Sequence, residues 1–228
     1  MSEPNWGIRE GVGAYAILVF VSGLASIAMI FTLDDPSQGM DLENPRVLMG
    51  MILATIVGMV SALFYALNKA GRDAFRWGPL EMDGALLSVA MVIPVLGFGY
   101  GWTLFMETLG FEALPQTIVQ GILETPSMAV LIMAGTYGIV GAALFEEMLF
   151  RGFIQPPCVS RFGVVWGVLM TSMLFGLIHA SDPWAIIPTM VIGGVAGWLR
   201  ERTGGLGAPI IFHGTNNLVA LILTVAAG

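Results

Sequence analysis

Long apolar runs separated by short polar links set the pattern of this chain. The runs cover Gly11–Leu33, Arg46–Leu67, Gly84–Met106, Ser127 into the charged stretch FEEMLFRG, Gly163–Ala180, Trp184–Leu199 and Leu206–Ala227. Most come close to or exceed the roughly twenty residues that a helix needs to cross a bilayer. The pattern therefore predicts an all-α polytopic bundle of about seven transmembrane helices. Too little link remains for a second, soluble domain, so residues 1–228 read as a single transmembrane domain. Gly and Ala scattered through the runs would let helix backbones approach closely in lipid. The Pro156-Pro157 pair is expected to end the fourth helix, because proline removes a helix donor and restricts the residue before it. The first run exceeds the roughly 7–15 residues of a signal-peptide core and has only Arg9 before it, so a retained span is expected rather than a cleaved leader.

Composition agrees with this picture: 56% of residues are hydrophobic and 11% charged, with a mean hydropathy of +0.83, against about 25% charged in soluble domains. Charge placement then orients the bundle, because Lys and Arg collect in cytoplasmic links. Lys69, Arg72 and Arg76 share one link, Arg151 and Arg161 flank another, Arg200 and Arg202 occupy a third, and Arg9 precedes the first span. These four links belong to one side. The alternate links, from Asp34 and from Glu107, carry no basic residue, and Arg46 at a span edge is the exception. The expected protein lies in the plasma membrane with its N-terminus cytoplasmic and its C-terminus outside. In the link from Glu107, Phe111, Leu114, Ile118 and Ile122 recur at helical spacing around Pro115, which predicts a short interfacial helix.

The net charge of −7 and pI near 4.7 argue against a nucleic-acid surface, and no Gly-rich phosphate loop is present. Cys158 is the only cysteine, which excludes an intrachain disulfide and a CxxC metal clip and suggests an inert thiol beside the turn. The charges of FEEMLFRG need explaining, because an ionised group at a helix centre costs roughly 2.5–3.5 kcal/mol on insertion scales. Glu147 and Arg151, four residues apart, share a helix face and form the natural ion pair, whereas Glu146 points elsewhere. Both histidines of the chain stand in apolar runs, His179 one turn after Phe175 and His213 one turn before Asn216 and Asn217. Polar groups in lipid turn toward one another or toward a wet cavity, so Glu146 and the two histidines are candidates for one site.

Three motifs, EExxxR at Glu146-Glu147 to Arg151, FxxxH at Phe175 to His179 and HxxxN at His213 to Asn217, follow in order on successive runs. This arrangement resembles the CPBP family of intramembrane proteases, which includes the CaaX prenyl endopeptidases and bacteriocin-immunity relatives. The likeness covers residues 127–223. It implies that Glu146 and His179 activate a water for attack on a peptide carbonyl, with His213 and Asn217 as oxyanion hole; Asn216 rivals Asn217 by spacing, and only the family register selects the latter. Glu147 and Arg151 keep the structural role that spacing gives them, with Phe175 in support. The family has been described both as metalloproteases and as metal-independent, and a divalent metal such as zinc on Glu146, His179 and His213 is left open. The implied partner is a membrane-anchored or lipidated peptide, with no nucleic acid. A catalytically inactive immunity-type relative and a proton-coupled transporter are the alternatives. One difficulty stands: counted from a turn at Pro156-Pro157, Glu146 and His179 differ in depth by one to two helical turns.

Overall fold

The computed structural model describes residues 4–31, 45–111, 132 and 135–227, and the regular structure among them is entirely helical. Helices α1 (Ile8–Ile30) and α2 (Pro45–Ala70) lead into a 3-10 turn, Gly71–Phe75, and then α3 (Met82–Ala90) and α4 (Val92–Thr108). Next come a π-helical turn (Tyr137–Ala142), the short α5 (Ala143–Glu147) and a second π turn (Met148–Ile154). Helices α6 (Gln155–Leu177), α7 (Ile186–Thr203) and α8 (Gly207–Ala227) complete the chain. The interfacial helix expected around Pro115 and the start of the run at Ser127 lie outside the described residues.

Among the described residues, four helical stretches are long and apolar enough to cross a membrane: Ile8–Ile30, Met49–Phe75, Met82–Thr108 and Tyr137–Leu177. The expected count of about seven is not reached on that measure. Part of the difference is that the fourth and fifth runs appear as one stretch. The last two runs form α7 and α8, and Arg200, Glu201 and Arg202 dilute the apolar character of α7. The third run is broken at Met91. Pro94 explains the break, since it cannot donate to the carbonyl of Ala90 and its ring crowds that group.

One expectation is overturned: Pro156 and Pro157 do not end the fourth helix. They sit in the first turn of α6, where the helix changes from π to α hydrogen bonding and a missing N–H is tolerated. The reversal comes at Gly163, whose φ of 80° and ψ of 168° belong to a region essentially reserved for glycine. Beyond it Gly167 packs on the outgoing arm so tightly that a Cβ there would lie 2.6 Å from the Cα of Val159. Eight residues of straight helix would put these positions about 12 Å apart, so the chain folds back on itself. Moving the turn also removes the depth difference. Glu146 lies seventeen residues before Gly163 and His179 sixteen after it.

The second π turn is the centre of the bundle. Leu149, Phe150, Phe153 and Ile154 are buried among Ala62 and Ala66 of α2, Phe75, Phe175 and Leu206. Outward-facing positions are apolar instead: Phe20 is 67% exposed, Phe64 66%, Ile93 77% and Trp166 65%, as expected of surfaces bathed in lipid rather than water. Small residues permit the close crossings. A Cβ on Gly58 would sit 2.8 Å from the carbonyl oxygen of Leu18, and one on Gly214 2.9 Å from that of Ile139.

All four basic links gather at one end of the bundle. Leu206 N–H donates to the Arg76 carbonyl at 3.1 Å and Gly207 N–H to that of Trp77 at 3.3 Å, while the Trp6 indole N–H donates to the Phe153 carbonyl at 2.8 Å.

The conformation at Gly163 predicts that Gly163→Ala destabilises the protein by about 1–3 kcal/mol. Melting in detergent checks this, with Gly23→Ala as the neutral control, since the space around Gly23 is open.

Candidate active site

The two glutamates end α5, five α-helical residues held between two π turns. A π turn re-aims the side chains around it and is common at functional sites. It also disturbs the hydrogen-bond ladder, and here the Gly138 carbonyl in the first π turn accepts from Asn217 Nδ2 at 2.8 Å. Asn217 thereby ties α8 to the segment that carries the glutamates.

Glu147 is completely buried and faces two partners. Its Oε2 lies 3.1 Å from Arg151 Nε, an ion pair not aligned as a hydrogen bond, and its Oε1 lies 2.8 Å from His213 Nδ1. Arg151, 1% exposed, donates through Nη2 to the Gly193 carbonyl at 2.9 Å. Its guanidinium lies over the Phe175 ring, 4.5 Å from the centroid, a placement in which the ring's negative face compensates part of the lost hydration. Gly193 lies close against α6, where a Cβ would stand a tight 3.2 Å from the Cα of Ser172, and this close approach brings its carbonyl up to the guanidinium.

Phe175 joins this network to both histidines. Its ring stands 5.4 Å from that of His179 and 5.8 Å from that of His213, and edge-on to Phe150 at 5.1 Å. His179, just past the end of α6, donates from Nδ1 to the Phe175 carbonyl at 3.0 Å. A carbonyl oxygen only accepts, as does an ionised carboxylate, so each histidine carries its proton on Nδ1 and in its neutral form keeps the lone pair on Nε2.

Glu146 differs from its neighbour. It is 7% exposed, and among the described residues it has no hydrogen-bond or ion-pair partner, yet its oxygens are not sealed off. Tyr137, in the first π turn, lies within electrostatic reach of it. Asn216 is 3% exposed, and its Oδ1 has no partner among the described residues. The structure thus brings Glu147, Arg151, Phe175, His179 and His213 into one connected group, sets Glu146 beside it, and links Asn217 to it through Gly138. Among the described residues no three His, Cys, Asp or Glu side chains are disposed to hold a metal ion. His213 Nδ1 is committed to Glu147 and His179 Nδ1 to the Phe175 carbonyl, which leaves Nε2 of each ring as the nitrogen available to a ligand.

Some partners leave no signature in the sequence. The His213–Glu147 bond joins residues 66 positions apart, and Trp6 stacks on Phe153 with centroids 5.4 Å apart. A tryptophan before a first span reads only as an interface anchor.

Residues 126–219 match the family model of type II CAAX prenyl endopeptidase Rce1-like proteins. The chain is also similar to the UPF0177 protein YxdF of Lactococcus lactis subsp. lactis, 27% identical over 75 residues, or 33% of this chain. That stretch spans 41% of the relative's own length. No solved structure matches the chain.

Breaking a buried pair by removing one partner typically costs about 3–5 kcal/mol, and Glu147→Gln strands Arg151 besides weakening the hold on His213. The variant should show a markedly lower melting temperature in detergent, or less protein in the membrane, while Glu146→Gln melts as the parent does.

Proposed function

Because the chain belongs, through residues 126–219, to the CPBP family of intramembrane proteases, we propose that it hydrolyses a peptide bond of a membrane-anchored or lipidated substrate. The observation that carries this reading is the division of labour between adjacent glutamates. Glu147 is ion-paired with Arg151 and hydrogen-bonded to His213, whereas Glu146 has no hydrogen-bond or ion-pair partner among the described residues and is 7% exposed. A carboxylate with no hydrogen-bond partner of its own is placed to accept a proton from an attacking water.

In this mechanism Glu146 takes a proton from a water that also donates to Nε2 of His179. The water oxygen bonds to the scissile carbonyl carbon, and negative charge develops on the carbonyl oxygen. His213 and the second amide hydrogen of Asn217 donate to that oxygen, each such donor being worth roughly 3–4 kcal/mol in well-studied cases. For His213 this requires a proton on Nε2 as well, with Glu147 as the balancing carboxylate. As the C–N bond breaks, Glu146 returns its proton to the leaving nitrogen. Asn216, also one turn from His213, is the rival donor. No step is routed through a metal.

The protein is an integral membrane protein, and we read seven helical passes with the N-terminus cytoplasmic and the C-terminus outside. The meeting of the basic links supports the common side, because each successive link follows after two passes. Cys158 is buried and so a poor reporter of sidedness. In a Cys158→Ser background, Arg72→Cys should resist a membrane-impermeant thiol reagent in intact cells and react after lysis; labelling in intact cells would reverse the orientation.

Glu146→Gln should lower turnover by at least about a hundredfold, the low end for loss of general base catalysis, at unchanged melting temperature. Comparing new peptide termini in membranes carrying the parent or this variant would name substrate and bond together; identical termini would favour an inactive relative. Asn217→Ala should lower turnover far more than substrate affinity, and an equal loss for Asn216→Ala would move the donor role to that residue.

A further inference from the structure

A cavity of about 210 Å³ opens where the four basic links meet. Arg76 and Arg200 stand on its wall with Asp73, and glycines at 152, 204 and 205 leave part of the lining to backbone. Arg200 is paired with Glu201 at 2.5 Å. Arg76 is exposed and has no ion pair among the described residues. Among the described residues Asp73 is the one carboxylate on the wall, and with Arg200 balanced by Glu201 the cation there without an ion pair is Arg76. A second cavity of about 300 Å³ adjoins it, lined by Arg9 and Arg161 with Glu10, and Trp6 borders both. Across the two cavities Arg9, Arg76 and Arg161 outnumber Asp73 and Glu10 among the described residues, a balance that suits an anion.

The rim indicates which kind. Immediately after Arg76 the chain turns outward an apolar ledge: Trp77 is 54% exposed, Leu80 51% and Met82 72%. The ledge is fixed to the same walls, since Gly205 and Gly207 approach Trp77, Gly78 and Leu80 too closely to carry side chains without displacement. A polar, basic cavity beside an exposed apolar ledge, with a tryptophan at its mouth, matches an amphipathic anion at a membrane surface. A free inorganic anion would leave the ledge unused.

We propose that this cavity binds the phosphate of an anionic phospholipid, with Arg76 and Arg200 as its cationic partners and the acyl chains along Trp77, Leu80 and Met82. Bound there, the headgroup bridges the N-terminal segment, the link after α2 and the link before α8. It does so above Gly152, the neighbour of Arg151. The site is independent of the chemistry proposed for Glu146, and its test reads stability alone.

The full chain is purified in neutral detergent and melted with phosphatidylglycerol, with phosphatidylcholine or with inorganic phosphate. Ligand binding to the folded state raises Tm, and a saturating phosphatidylglycerol should raise it by at least ~3 °C, against less than ~1 °C for the other two. Arg76→Ala should remove most of that shift, whereas Arg72→Ala, on the same link but outside the cavity, should keep it. An equal shift with phosphatidylcholine, or a full shift in Arg76→Ala, overturns the site. An equal shift with inorganic phosphate overturns the lipid as occupant. The comparison of the three additives on the parent chain decides the matter even where a variant fails to fold.

Discussion

A carboxylate buried completely in an apolar bundle must be matched by charge and hydrogen bonds, and the arrangement around Glu147 follows from that requirement. Arg151 answers it from the same helical stretch and His213 from the last helix. Each answer creates a further demand. The guanidinium needs the Gly193 carbonyl and the face of Phe175, and the imidazole is left with its ring edge-on to that same phenyl. One buried charge therefore recruits α6, α7 and α8 to a single point. Such networks are costly when incomplete, which makes the relative placement of these helices specific rather than merely compact.

Glu146, one residue away, is kept outside the network by helical rotation of about 100°. The same segment thus holds one carboxylate whose environment is fully specified by the protein and one whose environment is left to water or substrate. The π turns on either side supply the local irregularity that a straight α-helix would lack, and Asn217 compensates the first of them at Gly138.

Much of the architecture was legible because it depends on local pattern. Apolar runs located the helices, and the four-residue spacing of Glu147 and Arg151 implied their contact. What could not be read depends on distance in sequence or on backbone detail. Nothing local links His213 to Glu147, since two residues 66 apart meet only after three helices have packed. The turn was misplaced because Pro156 and Pro157 are strong breakers in a helix interior but harmless in a first turn, and only the backbone shows which applies. Gly163, one glycine among 30 in the chain, carried no distinguishing mark. The three motifs in order carried the family reading, while spacing alone left Asn216 and Asn217 equivalent.

The hairpin at Gly163 makes the chain between Glu146 and His179 a ruler of fixed length. Both residues are measured from one pivot along two helical arms, so inserting or deleting a single residue in either arm would rotate everything beyond it by about 100° and shift it by about 1.5 Å. The glutamates would be displaced relative to His179 and Phe175 without any change of residue type. Drift in length is therefore tolerable in the links between passes, whereas within this stretch only paired changes, or whole turns added to both arms together, would keep the site in register.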